Sequence, residues 1–422
     1  MNKFFRSPLF LMALTIFIDI AGFGLILPLL PFWAEHLGAN PTEVGLILTI
    51  YALAQFIFTP ILGSLSDRFG RKPIIIASLL IEAFSLALTG FAGSLGVLLI
   101  ARFIGGIGAS NIGSAQAVVA DVTPPDGRAR GMGMIGAAIG LGFVIGPAIG
   151  GILSPIGPAV PFIVAMVVAI INALLVLLFL PETHKVREIS TTNASSTGQK
   201  GILPSGLGQL LRNKTLTRLI VINLLFTTAF TAMEAVFALF SQHMFGWTAK
   251  ENGYIFAYVG IIIVIMQGGL IGQLVKRFGE QKLLIAGLVM LTLGLALLPL
   301  SSTLAVMLIA LGILSVGNGA VTPTASALLS LTSPRDAQGK VLGLSQGIAS
   351  LGRIVGPLIA GSIYSLIGPG APFIFGSVLA FVALVIALPV MPVAFNRSET
   401  AITAPDEAVI DEVKAESMAG EL

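Results

Sequence analysis

Long apolar segments are the feature that most constrains this chain. An α-helix needs about 20 mainly apolar residues to cross a bilayer, and segments of that length recur from one end of the sequence to the other. We therefore expect an all-α membrane protein with twelve transmembrane helices. The predicted spans are residues 8–32, 43–64, 73–92, 96–120, 131–153, 160–180, 217–241, 252–274, 281–300, 304–329, 341–366 and 371–391.

The composition excludes several other classes of protein. Apolar residues make up 55% of the chain and the mean hydropathy is +0.98, whereas soluble domains are about 45–50% apolar. The net charge of +3 comes from loops, and no basic patch interleaved with aromatic residues is present, so a nucleic-acid partner is not expected. The absence of cysteine rules out disulfides, thiolate metal sites and cysteine nucleophiles.

The distribution of positive charge predicts the topology. The charged segment Gly63–Pro73 separates two apolar runs and must lie in water, and its bases place it in the cytoplasm. Of the 23 Lys and Arg residues, all but Arg102, Arg353 and Lys250 fall in segments that this orientation makes cytoplasmic. An even number of spans then puts both termini in the cytoplasm. The first apolar run is long enough to be a retained span rather than a cleaved signal peptide.

An internal repeat divides the chain into two related halves. The segment Gly63–Pro73 recurs in weakened form at Gly272–Lys282. Four residues of span 5 are matched 210 positions later in span 11: Gly142, Gly146, Pro147 and Gly151 by Gly352, Gly356, Pro357 and Gly361. We expect two pseudo-symmetric six-helix bundles at 1–181 and 217–395, a Ser- and Thr-rich cytoplasmic linker at 182–216, and a disordered cytoplasmic tail at 396–422.

Ionisable residues inside predicted spans are functional candidates, because a charge at the centre of a bilayer costs about 2.5–3.5 kcal/mol on insertion scales. The candidates are Asp19, Glu82, Arg102, Glu234 and Arg353. In one interpretation the acids carry protons and the arginines change their proton affinity. In the other, acid and arginine form structural ion pairs that hold the bundle together.

Two motifs resemble those of a known family. The segment Gly63–Pro73 resembles the loop between spans 2 and 3 of the major facilitator superfamily. A glycine pattern in span 5 resembles the antiporter motif of its drug:proton antiporters, although close helix packing with a proline kink would use the same residue types. The motif residues are Gly133, Gly142, Gly146, Pro147, Gly150 and Gly151.

The resemblance covers about residues 8–391 and extends to the tetracycline efflux proteins and related multidrug exporters. It implies that Asp19, Glu82 and Arg102 act in coupling and binding. From their places in spans 7 and 11, we expect Glu234 and Arg353 to act as a secondary pair in the C-terminal half. The resemblance also implies a cytoplasmic latch that forms while the cytoplasmic side is shut, made by Gly63, Asp67, Arg68, Gly70, Arg71 and Asp121. Residues 281–300 contain no acid where tetracycline exporters have a functional one, which favours other lipophilic compounds as substrates.

Polar residues that face inward are candidates to line a substrate cavity. They are Tyr51, Gln55, Asn111, Gln116, Asn223, Gln267, Asn318 and Gln346. The alternative is that they hold helices together, at about 0.6 kcal/mol for each hydrogen bond.

The function predicted from these observations is proton-coupled efflux of lipophilic or amphiphilic compounds by an antiporter of the bacterial inner membrane. The expected partners are a small-molecule substrate, protons and the lipid bilayer, with a monomeric chain and no cofactor. The first alternative is a proton symporter or facilitator for a sugar or other metabolite. A membrane-embedded enzyme would need a catalytic constellation that the sequence does not offer. A non-transporting receptor on the same fold is a further alternative, which acids within spans disfavour.

Overall fold

The structure is a computed structural model that describes residues 7–123, 128–183, 213–333 and 338–390. All regular structure in these ranges is helical. The predicted tail, and the predicted linker from residue 184 to residue 212, lie outside the described residues.

Within the described ranges, twelve helices long enough to be spans follow one another and confirm the predicted fold class. Eleven are long and apolar enough to cross a membrane, and the last is an apolar helix of 17 residues, within the usual range for a span. Their bounds are α1 Pro8–Ile26, α2 Pro41–Phe69, α3 Arg71–Gly90, α4 Leu95–Gly108 continued by Ala109–Asn111 and Ile112–Val122, α5 Arg128–Leu153, α6 Val160–Phe179, α7 Lys214–Phe245, α8 Ala249–Ile265 continued by Met266–Leu270 and Ile271–Phe278, α9 Glu280–Leu297, α10 Leu304–Thr332, α11 Gln338–Leu366 and α12 Ala371–Ala387.

The first span is shorter than the sequence predicted. α1 ends at Ile26, and the chain turns before a short helix, Leu30–His36, begins. Pro28 has no backbone N–H to continue the hydrogen bonds of α1, and Pro31 stands at the start of the new helix, where a proline is well tolerated. The prediction of one continuous span over 8–32 was therefore wrong at its C-terminal end.

The repeat extends to the residues that begin and end helices. Asn40 caps α2 and Thr248 caps α8, each in a capping box with a glutamate three residues later. At the other end of these helices, the chain turns at Gly70 and Gly279, whose φ angles are 100° and 79°. Only glycine adopts such angles without strain, so the turns before α3 and α9 are built in the same way.

Two spans are interrupted at mid-length. In α4 the residues Ala109–Asn111 form a 3₁₀ turn, and in α8 the residues Met266–Leu270 form a π-helical turn. Such turns re-aim side chains and are frequent at functional sites.

The apolar cores of the two halves differ. Among its described residues, the C-terminal half has one large buried cluster, which runs through α7, α9, α10 and α12, and a small one of Met266, Leu283 and Ala320. The N-terminal half has two separate clusters, one that includes Leu98 and Phe162 and one that includes Met12 and Leu79. The packing of the N-terminal half is therefore divided into two levels.

The two halves meet along two crossed pairs of helices, α2 with α11 and α5 with α8. We call the end of the molecule that carries Gly70 and Gly279 the loop end, and the opposite end the far end. The carbonyl group of Pro357 lies against Gly45, and the carbonyl oxygen of Pro147 would be 2.5 Å from a Cβ added at Gly253. The two contacts are related by the internal repeat.

The same four helices separate toward the loop end. Several of their glycines would accept a Cβ with no atom within 4 Å, which shows open space beside them. These glycines are Gly63, Gly133, Gly136, Gly268, Gly269, Gly272, Gly343 and Gly347. The halves thus touch at the far end and leave between them a cleft that is open at the loop end.

Candidate functional site

A layer of polar side chains separates the two apolar clusters of the N-terminal half. We call Asp19, Glu82, Asn111 and Asn172 the polar layer. Each lies on a different helix, between a core residue of one cluster and a core residue of the other. For example, Glu82 lies between Leu79 and Ala83 on α3. The four helices therefore bring these residues to one depth within the bundle.

Asp19 is held by two amide groups from other helices. Its side chain is 8% exposed. Asn111 Nδ2 donates to Asp19 Oδ2 at 2.8 Å, and Asn172 Nδ2 lies 3.5 Å from Asp19 Oδ1. Thr15 Oγ1 donates to Asn172 Oδ1 at 3.2 Å, which fixes the orientation of that amide. Asp19 is thus positioned by neutral donors rather than by an arginine.

Glu82 is buried to the same extent but is less well satisfied. It is 8% exposed, and its Oε2 atom is enclosed without a hydrogen-bond partner. Gly108 makes this position tight, since a Cβ there would lie 2.7 Å from the backbone nitrogen of Glu82. An enclosed oxygen without a partner costs about 1–3 kcal/mol, so a proton or a donor group from a ligand would be stabilised at this carboxyl.

Arg102 is buried next to this layer. It is 3% exposed, its Nη2 donates to Thr89 Oγ1 at 2.6 Å, and its guanidinium lies 5.9 Å from the centroid of the Tyr51 ring. Arg102 and Tyr51 line one small cavity together with Glu82. No carboxylate lies within ion-pair distance of Arg102 among the described residues, so the structural ion pair considered from the sequence is not formed in this conformation.

The described residues of the C-terminal half show no equivalent layer in which an acid and an arginine are brought together. Arg353 Nη2 donates to Ser350 Oγ at 2.6 Å, and Glu234 is half-buried in α7. In the part of the chain that the structure describes, these two residues form no ion pair with each other. The predicted secondary pair is therefore not brought together here, whereas Asp19, Glu82 and Arg102 lie near one another within the N-terminal half.

The glycines of the antiporter motif are packing positions with two different partners. Gly142, Gly146 and Gly150 face α1, where a Cβ at Gly142 would lie 2.9 Å from Ile20 Cβ and one at Gly150 2.6 Å from the Leu25 carbonyl oxygen. Gly151 instead faces α8. One face of the motif thus packs α5 against α1, which carries Asp19, and another face packs α5 against α8 of the C-terminal half. Gly133 has open space beside it, and Pro147 Cδ would be 3.0 Å from a Cβ added at Gly24.

The charged residues of the loop end form a cluster within one half. Arg71 pairs with Asp67, lies 3.5 Å from Asp121 Oδ2 and donates to Ser66 Oγ at 2.7 Å. These contacts exist while the halves are apart at this end. Arg71 and Asp121 both belong to the N-terminal half, so their contact does not itself join the two halves, and the role of the pair in a latch stays a prediction.

Among the described residues, the contacts of the other predicted latch residues lie within the N-terminal half. Asp67 pairs with Arg71. The Arg68 guanidinium lies over the ring of Phe69, 5.3 Å from its centroid, and Gly63 has no neighbour within 4 Å of an added Cβ. Gly70 provides the positive-φ turn before α3.

The polar residues predicted to line a cavity have different environments. Asn111 belongs to the polar layer and Tyr51 lies beside Arg102, whereas Asn223 donates to Ser345 Oγ at 2.9 Å between α7 and α11. Gln55 Nε2 donates to the Ala109 carbonyl oxygen at 3.1 Å. The hydrogen bonds of Asn223 and Gln55 each join two helices of the same half. The remaining four are the half-buried Gln116, the buried Asn318 and the exposed Gln267 and Gln346.

Two residues with clear roles were missed by the sequence analysis. Asn172 is the one polar side chain in α6, and that isolation was the signal that could have indicated it. Glu182, which was assigned to the linker, accepts hydrogen bonds from the backbone nitrogens of Arg71 and Lys72 at 2.9 and 3.2 Å. It therefore caps the N-terminus of α3, and only the fold brings it there.

Comparison with known proteins decides the family. The family model described as Major Facilitator Superfamily matches residues 12–282 and 268–410. The chain belongs to the major facilitator superfamily. This major facilitator protein is 32% identical over 383 residues to the class C tetracycline resistance protein of Escherichia coli, covering 88% of this chain and 93% of that protein. It is also 32% identical over 387 residues to multidrug resistance protein 2 of Bacillus subtilis (strain 168), covering 90% and 94%.

Solved structures share the fold of this major facilitator protein. A bacterial homologue of the human lysosomal transporter Spinster, solved in an inward-facing and occupied conformation, superimposes with a TM-score of 0.76 at 17% identity, covering 92% of this chain and 97% of that one. At this identity the likeness concerns the fold alone. Membership of this family confirms the resemblance inferred from the motifs and makes the chain a transporter rather than an enzyme.

Proposed function

We propose that this protein is a proton-coupled antiporter that exports lipophilic or amphiphilic compounds. The observation that carries the proposal is the polar layer, in which Asp19 and Glu82 are enclosed between two apolar clusters. A carboxyl in such a place is expensive unless it serves a function. Protonation and a substrate donor group would satisfy the same unpartnered Glu82 oxygen, which gives the competition that antiport requires.

Alternating access is the second element of the proposal. The halves meet at the far end and separate at the loop end, as expected for one of two states that interconvert by rocking of two bundles about a central site. The bases of the loop end favour its placement in the cytoplasm, so the state described would be open to the cytoplasm. Both termini and the linker would then be cytoplasmic, in the inner membrane of a bacterium, with the monomer as the transporting unit.

The substrate class is inferred from the relatives and from the site. Proteins named for tetracycline resistance and for multidrug resistance align over most of this chain. The two carboxyls and the apolar walls around them would suit a compound with an apolar body and a group that donates a hydrogen bond. We propose amphiphilic compounds of this kind as the exported class, and the proton gradient as the energy source.

Transport-coupled proton movement tests the proposal. Everted vesicles are energised to an acidic interior, and a compound to which expressing cells are resistant is added. The wild-type protein should discharge the pH gradient, whereas Asp19→Asn should not, because this substitution mimics a permanently protonated carboxyl. Glu280→Gln is a matched control, since it neutralises an acid at the start of α9, away from the polar layer.

Two results would count against the proposal. Equal discharge by wild type and Asp19→Asn would remove Asp19 from the coupling mechanism. Export by the wild type without any discharge of the gradient would replace antiport with facilitated diffusion.

A further inference from the structure

A cavity lies within the N-terminal half, among the helices that carry Asp19 and Glu82. It is formed by α1, α3, α5 and α6 and contains about 600 Å³ of space not filled by atoms, including the part open to its surroundings. Asp19 and Glu82 are the charged residues of its lining, and the other residues are apolar or glycine. The cavity thus reaches the polar layer between helices of the N-terminal half alone.

The mouth of this cavity is in the surface that faces lipid. Its α5 side is formed by Ile145 and Ile149 and its α6 side includes Val168, which are 36%, 39% and 38% exposed. Ile145 and Ile149 belong to an exposed apolar stripe of α5 that also contains Leu141 and Ile152. The faces of α5 that contact α1 and α8 are occupied by the glycines and the proline of the antiporter motif, so the stripe with the mouth points away from both.

Small residues keep the cavity open. A Cβ added at Gly22 of α1 would have no atom within 4 Å, and Ala165 and Ala169 line the opposite wall on α6. Meanwhile α1 and α6 are held at the bottom of the cavity by the hydrogen bonds of Asn172 to Asp19 and Thr15. The space is therefore a consequence of the fixed positions of these helices and not of a local turn.

The unpartnered oxygen of Glu82 indicates what the cavity would take. Asp19 already accepts from two amides, whereas Glu82 Oε2 is enclosed without a donor. A ligand in this cavity should bring one hydrogen-bond donor, and with two carboxyls and no base in the lining a positively charged donor is favoured over a neutral one. Arg102 lies beside Glu82 but lines the other, smaller cavity, so a phosphate or carboxylate head group in this one would meet the two carboxyls first.

We propose that this cavity is a binding site for amphiphilic amines that enter from the lipid layer between α5 and α6. The apolar body occupies the space beside Gly22, and the amino group donates to Glu82. The inference deepens the proposed function and rests on it only in treating the bound amine as cargo for export. Lateral entry would let the protein collect compounds that are already dissolved in the bilayer.

Binding to the purified protein without a pH gradient tests this inference separately from transport. The chain has no cysteine, so Val168→Cys at the mouth can carry a single bimane fluorophore in phosphatidylcholine nanodiscs. The probes are a long-chain alkyl amine with a nitroxide on its chain and the fatty acid of the same length with the same nitroxide. Quenching by the amine should saturate, at a concentration roughly 10- to 100-fold lower than for the acid, the range expected for a charge-assisted hydrogen bond.

Three variants sharpen the test. Gly22→Leu fills the cavity without a clash at Cβ and should abolish the saturable quenching. Glu82→Gln leaves the cavity open and should remove the preference for the amine. Gly96→Leu, at another glycine with no atom within 4 Å of an added Cβ but outside the cavity, should behave as the wild type.

Saturable amine binding that survives Gly22→Leu would place the site elsewhere and overturn the inference. Equal, non-saturating quenching by the amine and the fatty acid would also overturn it, because such quenching reports only partition of the probes into lipid. Amine binding at the cavity in a protein that exports nothing would leave the inference standing while the proposed function fails. Export by a protein that binds no amine at the cavity would overturn the inference while the proposed function stands.

Discussion

Replacing Gly253 by alanine would force apart two helices that close the far end. The added Cβ would lie 2.5 Å from the carbonyl oxygen of Pro147 and 2.6 Å from Gly151 Cα. Both are backbone atoms, so neither can rotate away, and α8 and α5 must shift. Overpacking of this kind costs about 1–3 kcal/mol, which changes the ratio of two conformations about 5- to 150-fold. We expect the ratio of the conformation that is open at the loop end to the one that is closed there to fall by that factor.

Pairs of spin labels at repeat-related positions can measure the change. Phe69 and Phe278 are exposed at the loop end, and Phe91 and Leu300 are exposed at the far end. In the Gly253→Ala protein, the distance between labels at the first pair should shorten and the distance at the second should lengthen, by electron–electron resonance in nanodiscs. The matched control is Gly113→Ala, since Gly113 has no atom within 4 Å of an added Cβ. Unchanged distances in a folded Gly253→Ala protein would refute the reasoning that this contact holds the far end shut.

Three further predictions concern groups outside the polar layer. Glu182→Ala should lower the stability of the folded protein by about 0.5–2 kcal/mol, since it removes the cap of α3, and the thermal unfolding midpoint in detergent checks this; an unchanged midpoint would show that the cap adds nothing. Burial raises the pKa of Glu35 above its ordinary 4.5, partly offset by a hydrogen bond with Gln242. The folded protein therefore binds this proton more tightly than the unfolded chain, and it gains stability as the pH falls through the raised pKa toward 4.5. The thermal unfolding midpoint of Glu35→Gln should accordingly rise less than that of the wild type between about pH 7 and about pH 5. An equal rise in both proteins would contradict this sign. A cysteine at Lys250 should react with an impermeant thiol reagent from outside intact cells, whereas one at Lys200, which is outside the described residues, should react only after permeabilisation; the opposite pattern would invert the topology.

The spans could be predicted because apolar length is a local property. Each predicted span overlaps a helix of the structure, including α12, and the charged turn at Gly70 recurs at Gly279 as the repeat indicated. The ends of helices were less accurate. Pro28 ended α1 early, and α2 continues to Phe69 because its last turns are polar and extend beyond the apolar segment.

The partners of the candidate residues could not be predicted in the same way. Asp19 and Arg102 were recognisable as charges within spans, but the choice of Asn111 and Asn172 as partners of Asp19 depends on how four helices rotate about their axes. Likewise, the glycines of α5 were recognisable as a motif, whereas their division between α1 and α8 is a tertiary fact. The division of the N-terminal core into two levels follows from those same rotations.

The π-helical turn of α8 accounts for an irregularity in the repeat. Gly45 and Gly253, at the far-end contacts, are 208 positions apart, whereas Gly70 and Gly279, at the loop-end turns, are 209 apart. The second copy therefore contains one extra residue between these landmarks, and Met266–Leu270 lies in that interval. A π turn takes in one residue more than an α turn without breaking the helix, so both landmarks keep their places. Deleting Gly268 should therefore restore an uninterrupted α-helix and keep the turn at Gly279 in register. The extra residue would then be an insertion that the repeat tolerates and does not require.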